Sequence, residues 1–233
     1  MKKILANIIF VSLLGITFIL GGIFTADVKK EKIKRTQVVI SPMDKEFIKA
    51  DEVKNMIDLG DSLSGKIDIQ KIENQLKNNR FVSKAEVYKD LNDNVYAYIE
   101  QFQPLARVVG ETSYYIDTEG AVRPLSVHYT ENVPLVFGNP TQQQQKDIYQ
   151  ILRKIDQDKY LKDKLSEIHI ESSGNYVLKI SGFKSDIIFG KNENSKEKLF
   201  KLKEILMYLL QKKLNNKYTS LDLRFKNQIV CKK

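Results

Sequence analysis

Residues 4–26 form an uninterrupted run without a charged side chain, rich in Ile, Leu, Phe and Val. No other feature restricts the chain so strongly. A helix of about 20 residues crosses a hydrocarbon layer roughly 30 Å thick, so this run predicts one transmembrane anchor. A cleaved signal peptide would carry an apolar stretch of about 7–15 residues closed by a small-x-small site. Here the stretch is longer, and Phe24 stands two positions before Ala26. Lys2 and Lys3 precede the run; Asp27, Lys29, Lys30, Lys32, Lys34 and Arg35 follow it closely. Lysine and arginine counts alone would place the C-terminal side inside the cell, whereas a three-residue head is easy to translocate. No second run approaches spanning length, so residues 36–233 read as one soluble region.

Charge and cysteine usage narrow the function classes. The formal net charge is +9, which raises nucleic acid and anionic lipid as partners. Residues 1–35 alone hold seven Lys/Arg against two acids, so over half of the excess lies beside the apolar run. That distribution speaks against nucleic acid. Cys231 is the only cysteine, which rules out an intrachain disulfide. With only His128 and His169 besides, the chain lacks the donors of an ordinary structural zinc site.

Along the soluble region, Thr36–Ser41 reads as a strand broken by Pro42. Phe47, Ala50, Val53 and Ile57 then recur at helical spacing. Gly60, Ser62, Ser64 and Gly65 mark a loop. Asp68 stands at an N-cap position before the stripe Ile69, Ile72 and Leu76. A strand over Val82–Leu91 and the turn Asn92–Asn94 lead to VYAYIEQF, with Val95, Ala97 and Ile99 on one face and Tyr96 and Tyr98 on the other. Strand, helix, helix, strand, strand predicts helices laid on one face of a small three-stranded sheet, with the tyrosines read as sheet packing.

Pro104 marks a boundary, after which short strands dominate: Ala106–Val109, Ser113–Ile116, Ala121–Val122 and Val133–Phe137. Thr141 and Gln144 form a capping pair opening a helix with Ile148, Ile151, Leu152 and Ile155 on one stripe. Strands near Glu167–Glu171 and Tyr176–Ser181 flank the turn Ser172–Asn175, and Asp186–Phe189 makes another. Asn194 and Glu197 read as the cap of a helix striped by Leu199, Leu202, Leu206 and Leu209. The last segment, LDLRFKNQIVCKK, reads as a strand, a polar two-residue turn and a second short strand. The fold class is α+β, ending in a mixed sheet with helices packed on it and an open terminal strand. Open edges invite other strands.

Catalytic patterns are few. Asp117 and Glu119 in YYIDTEGAV are two apart and could pair for acid–base work, but Asp-Thr-Glu-Gly meets the needs of a hairpin turn and reads as one. His169-Ile-Glu171 echoes a deaminase fragment without its Pro-Cys-x-x-Cys. Glycine-rich phosphate loops and the G-x-S-x-G and H-E-x-x-H motifs are missing. Cys231 has no nucleophile signature, and Lys212, Lys213 and Lys217 read as a solvated helix end. The expectation is a protein without enzymatic activity and without a cofactor.

Several stretches resemble the bacterial division proteins FtsQ and DivIB. IENQLKNNRFVSKAEVYK (72–89) is similar to the helix and strand of that family's POTRA domain, and QPLARV (103–108) to the segment joining it to the second domain. YYIDTEGAV (114–122) resembles the family's aromatic-x-Asp-x-x-Gly hairpin, VPLVFG (133–138) the strand after it, and LDLRFKNQIV (221–230) the terminal Asp-Leu-Arg-aromatic strand and its mate. The chain departs from the family at Phe102, where relatives often carry Arg, at Tyr115, where Trp is common, and at Arg123-Pro124.

The resemblance implies a head (1–3), an anchor (4–26), a basic linker (27–35), a POTRA-like domain (36–104) and a C-terminal β domain (105–233). It also implies a bitopic scaffold in the cytoplasmic membrane at the division site, with its soluble part outside. The implied partners are the coiled-coil division proteins FtsB and FtsL, taken up by strand addition at the terminal strand. By motif, the contact residues are Arg224, Phe225, Ile229, Val230 and Lys191. Two other readings stand beside this one. A POTRA-bearing export or envelope-assembly factor would carry repeated modules or a barrel, neither of which is visible. A membrane-tethered binder of anionic lipid or nucleic acid would lose affinity steeply with salt.

Overall fold

A computed structural model describes residues 35–57, 67–92 and 94–233. The anchor, the head, most of the basic linker and the loop from Gly60 to Gly65 lie outside these residues. Among the described residues no helix is long and apolar enough to cross a membrane.

The first sheet has the order β1-β3-β2. Strand β1 (Arg35–Ser41) runs parallel to β3 (Asn94–Gln101), and β2 (Val82–Lys89) antiparallel to it. Val95, Ala97 and Ile99 alternate onto one face because the side-chain period of a strand is two. There they are buried against Val53 of α1 (Ala50–Met56) and against Ile72 and Leu76 of α2 (Ile69–Lys77). Asp68 caps α2 by accepting from the Lys71 N–H at 2.9 Å. Tyr96 and Tyr98 take the helix-free face, where Tyr96 stacks on Tyr88 with ring centres 5.0 Å apart.

Helix α1 is shorter than the spacing predicts. It starts at Ala50, and the buried Phe47 and Ile48 lie in the approach to it. The buried Gln101 holds this approach: its side-chain carbonyl accepts from the Ile48 N–H at 3.2 Å, and its amide donates to the carbonyls of Pro42 (3.3 Å) and Lys45. Phe47 is thereby turned away from the helix stripe toward Phe102 and Tyr115.

The second sheet comprises β4 (Pro104–Val109), β5 (Tyr114–Asp117), β6 (Val122–Arg123), β7 (Leu135–Phe137), β8 (Leu165–Ile170), β9 (Tyr176–Ile180), β10 (Asp186–Gly190), β11 (Ser220–Asp222) and β12 (Val230–Lys232). Their order is β12-β11-β10-β9-β8-β7-β4-β5-β6. The parallel pairs need crossovers, and helices supply two of them. Helix α3 (Gln142–Asp156), followed by the short α4 (Lys159–Lys162), links β7 to β8, and α5 (Ser195–Gln211) links β10 to β11. Ile148, Ile151, Leu152 and Ile155 of α3 and Leu199, Leu202, Leu206 and Leu209 of α5 are buried with Val108, Val136, Ile168, Leu178, Ile187 and Leu221 of the sheet.

Thr141 and Gln144 make the reciprocal capping box expected of them. Asn194 does not cap α5. It sits in the left-handed region (φ 51°) without a side-chain cap bond, and the Ser195 hydroxyl donates instead to Asn192.

The two sheets meet through a third apolar cluster. Phe102, buried in the two-residue link between β3 and β4, lies with its ring centre 4.5 Å from that of Phe47 and 5.9 Å from that of Tyr115.

Candidate partner-binding edge

The segment read as a strand, a two-residue turn and a strand folds differently in its middle. Leu223 stays buried after β11 and donates its N–H to the Ile188 carbonyl at 2.9 Å, extending the contact with β10. Arg224 then turns back onto Asp222. Its N–H and its Nε each lie 3.0 Å from Asp222 Oδ1, and Nη2 donates to Oδ2 at 2.6 Å. The chain returns only at Val230, so residues 223–229 form a loop. Lys201 of α5 pins it by donating from Nζ to the carbonyls of Phe225 (2.7 Å) and Lys226 (2.8 Å).

β12 is the last strand of its sheet and pairs on one side with β11, Leu221 opposite Cys231 and Asp222 opposite Val230. Among the described residues no strand pairs with its outer side. At the far end of the sheet, the two-residue β6 is tied to the first sheet by Arg123, whose Nη1 donates to the carbonyls of Arg80 (3.3 Å) and Val82 (3.4 Å).

The residues implied by resemblance fall around β12. Phe225 is 45 % exposed and outside the core, and Val230, the first residue of β12, is 43 % exposed. Ile229 is half-buried against the core. The aliphatic stem of Arg224 lies over Gly190: a Cβ on that glycine, whose φ is +72°, would sit 2.8 Å from Arg224 Cγ. Lys191, exposed just after β10, offers its carbonyl to Lys198 Nζ at 2.8 Å.

Sequence reasoning missed three residues that set the charge here. Lys198 is buried, with Nζ 4.9 Å from the centre of the Phe189 ring. Burial pushes its pKa below the ordinary lysine value, and the neighbouring Lys201 and Arg224 push the same way. The buried Asp222 is held below the ordinary carboxylate value, first by its bond from Arg224, with burial opposing. Lys201 supplies the pin described above. On paper Lys198 and Lys201 look like any solvated helix face; only the pairing of β11 with β10 brings them beside the hairpin. Arg224, Lys191, Lys198 and Lys201 thus lie together where the end of β10 meets the loop that leads into β12.

The catalytic candidates are occupied by structure. Asp117 is buried and accepts from the N–H groups of Glu119 (2.9 Å) and Ala121 (2.8 Å) and from Arg123 Nε (2.6 Å), as a turn requires. His169 stacks on Phe137 and bonds Glu167 at 2.6 Å, and His128 bonds Glu52 at 2.7 Å. Among the described residues no group of His, Cys, Asp and Glu could hold a metal ion.

A three-stranded sheet with two helices on one face, followed by a mixed sheet ending in an edge hairpin, defines a two-module protein of the POTRA-bearing class. Residues 32–100 match the POTRA-like domain family. Residues 103–232, more than half of the chain, match the family described as FtsQ/DivIB, C-terminal related. The chain therefore belongs to the FtsQ/DivIB family of bacterial division scaffolds. A search of curated proteins found no match to it.

Proposed function

We propose that this protein is a non-enzymatic, single-pass scaffold of the division machinery that takes up FtsB- and FtsL-type coiled-coil partners at β12. In this reading residues 4–26 anchor it in the cytoplasmic membrane, residues 36–104 and 105–233 form its two extracytoplasmic domains, and no cofactor or small-molecule substrate takes part. The observation that carries it is the outer side of β12, which pairs with no strand among the described residues and includes the exposed Val230, with the exposed Phe225 in the loop that leads to it. Strand addition draws affinity from backbone hydrogen bonds and specificity from alternate side chains. Phe225 and Val230 are the apolar anchors, Ile229 supports them from the core side, and Arg224 and Lys191 select an acidic segment.

A photo-crosslinking residue at Phe225, with a control at the exposed Val127, tests this in growing cells. A crosslink to a small coiled-coil membrane protein from position 225 and not from 127 is the expected result. Its absence, with the protein still at midcell, would move the search to the first sheet. Phe225→Ala is expected to weaken partner binding about tenfold or more while changing stability by less than about 0.5 kcal/mol, read by titration calorimetry and urea unfolding.

A further inference from the structure

The β2–β3 hairpin carries an apolar tip that the partner edge does not use. Leu91 is fully exposed at the turn, and Tyr88, 48 % exposed, stacks on Tyr96 in the strands that lead to it. One exposed leucine is ordinary on a soluble surface. What distinguishes this one is its place. The segment preceding the described residues ends at Lys34, next to Arg35, where β1 begins, and Arg35 is paired with Asn94, the first residue of β3 at the same turn. The chain arriving from residues 4–26 therefore joins the first sheet at this end, and Lys29, Lys30, Lys32 and Lys34 lie in the stretch that leads to it.

Two carboxylates flank the tip in sequence, Asp90 and Asp93, and with Glu31 they are outnumbered by Lys29, Lys30, Lys32, Lys34 and Lys89. Asp90 accepts from the N–H groups of Asn92 (2.8 Å) and Asn94 (2.9 Å), from the Asn94 amide (2.7 Å) and from the Tyr96 hydroxyl (3.4 Å). Tyrosine favours the headgroup level, where its ring is in apolar surroundings and its hydroxyl is wet. Basic residues within a Debye length of anionic lipid are attracted to it. The other end of the sheet, where Met43 is 84 % exposed, has no such connection.

We propose that the Leu91 tip, backed by Tyr88 and Tyr96, docks on the anionic lipid surface of the membrane that holds the anchor, fixing how the first sheet stands on it. This rests on residues 4–26 being that anchor. It also gives the basic residues after the run a role.

The chain has no tryptophan, so single replacements report one site each. Full-length Leu91→Trp, Met43→Trp and Leu13→Trp proteins would be reconstituted into vesicles of phosphatidylglycerol and phosphatidylethanolamine, with and without brominated acyl chains. The expected result is loss of emission in bromolipid for Leu91→Trp and Leu13→Trp, and none for Met43→Trp. Quenching at Leu13→Trp with none at Leu91→Trp overturns the docking and leaves the anchor standing. No quenching at Leu13→Trp removes the anchor and the docking together. Protection of Leu91→Trp from aqueous iodide without bromolipid quenching assigns the tip to a protein contact and likewise overturns the proposal.

Discussion

Asp222 shows how one side chain ties the hairpin to its own strand. Its carboxylate is 11 % exposed and holds Arg224 through two guanidinium nitrogens. Asp222→Asn is expected to cost about 1–2 kcal/mol at neutral pH, since the pair is buried on one side only. The sign with pH follows from the lowered pKa. The contribution is fully present above the ordinary carboxylate value near pH 4 and is lost as pH falls through the lowered value. Urea midpoints of parent and variant should therefore converge in acid; a gap constant from pH 7 to pH 2 would contradict this. At this scale sequence and structure overlap in part. The Asp-Leu-Arg motif marks Arg224 and Phe225, but nothing local shows that Arg224 folds back over Gly190. A motif records residue types, whereas this contact needs β10 and β11 side by side.

Helices follow their local signals where those signals close a hydrogen bond within a few residues. Thr141 and Gln144 satisfy each other's backbone N–H groups at 3.3 and 2.9 Å, so the start of α3 is legible from four consecutive residues. Thr141→Ala is expected to cost about 1 kcal/mol, measured as a lower urea midpoint without a change in slope. The start of α5 was less legible. Asn194 has the right residue type for a cap, but its left-handed backbone removes it from that role and Asn192 receives the Ser195 hydroxyl. The terminal hairpin strayed further, because its loop length follows from Leu223 reaching Ile188 and from Lys201 reaching the Phe225 and Lys226 carbonyls. These partners lie 24 or more positions away, beyond any turn rule.

Across the whole molecule, a seam of apolar and polar contacts joins the two sheets. Phe102 sits between Phe47 and Tyr115, the Ser126 hydroxyl donates to the Phe47 carbonyl at 2.7 Å, and Lys45 pairs with Glu131 at 2.6 Å. Arg123 both neutralises Asp117, 2 % exposed at its side chain, and reaches the first sheet. Arg123→Met should cost about 3–5 kcal/mol, because it leaves a buried carboxylate unpaired. Asp117→Asn added to it should recover part of that loss, and Phe102→Ala should uncouple the sheets. Hydrogen exchange would then show them opening separately instead of together. Position 102 and the Arg123-Pro124 pair, departures from the family's pattern in sequence, are thus residues of the seam. The sequence by itself determined what rests on short-range repetition: the buried face of β3, the leucine stripe of α5, the Asp117 turn and the α3 cap. Only the tertiary structure decided that Phe47 leaves its helical pattern, that Arg123 bridges two sheets and that Lys201 of α5 pins the loop before β12. Periodicity is written in neighbours along the chain. Strand order and seams are chosen among distant residues competing to bury the same apolar surface.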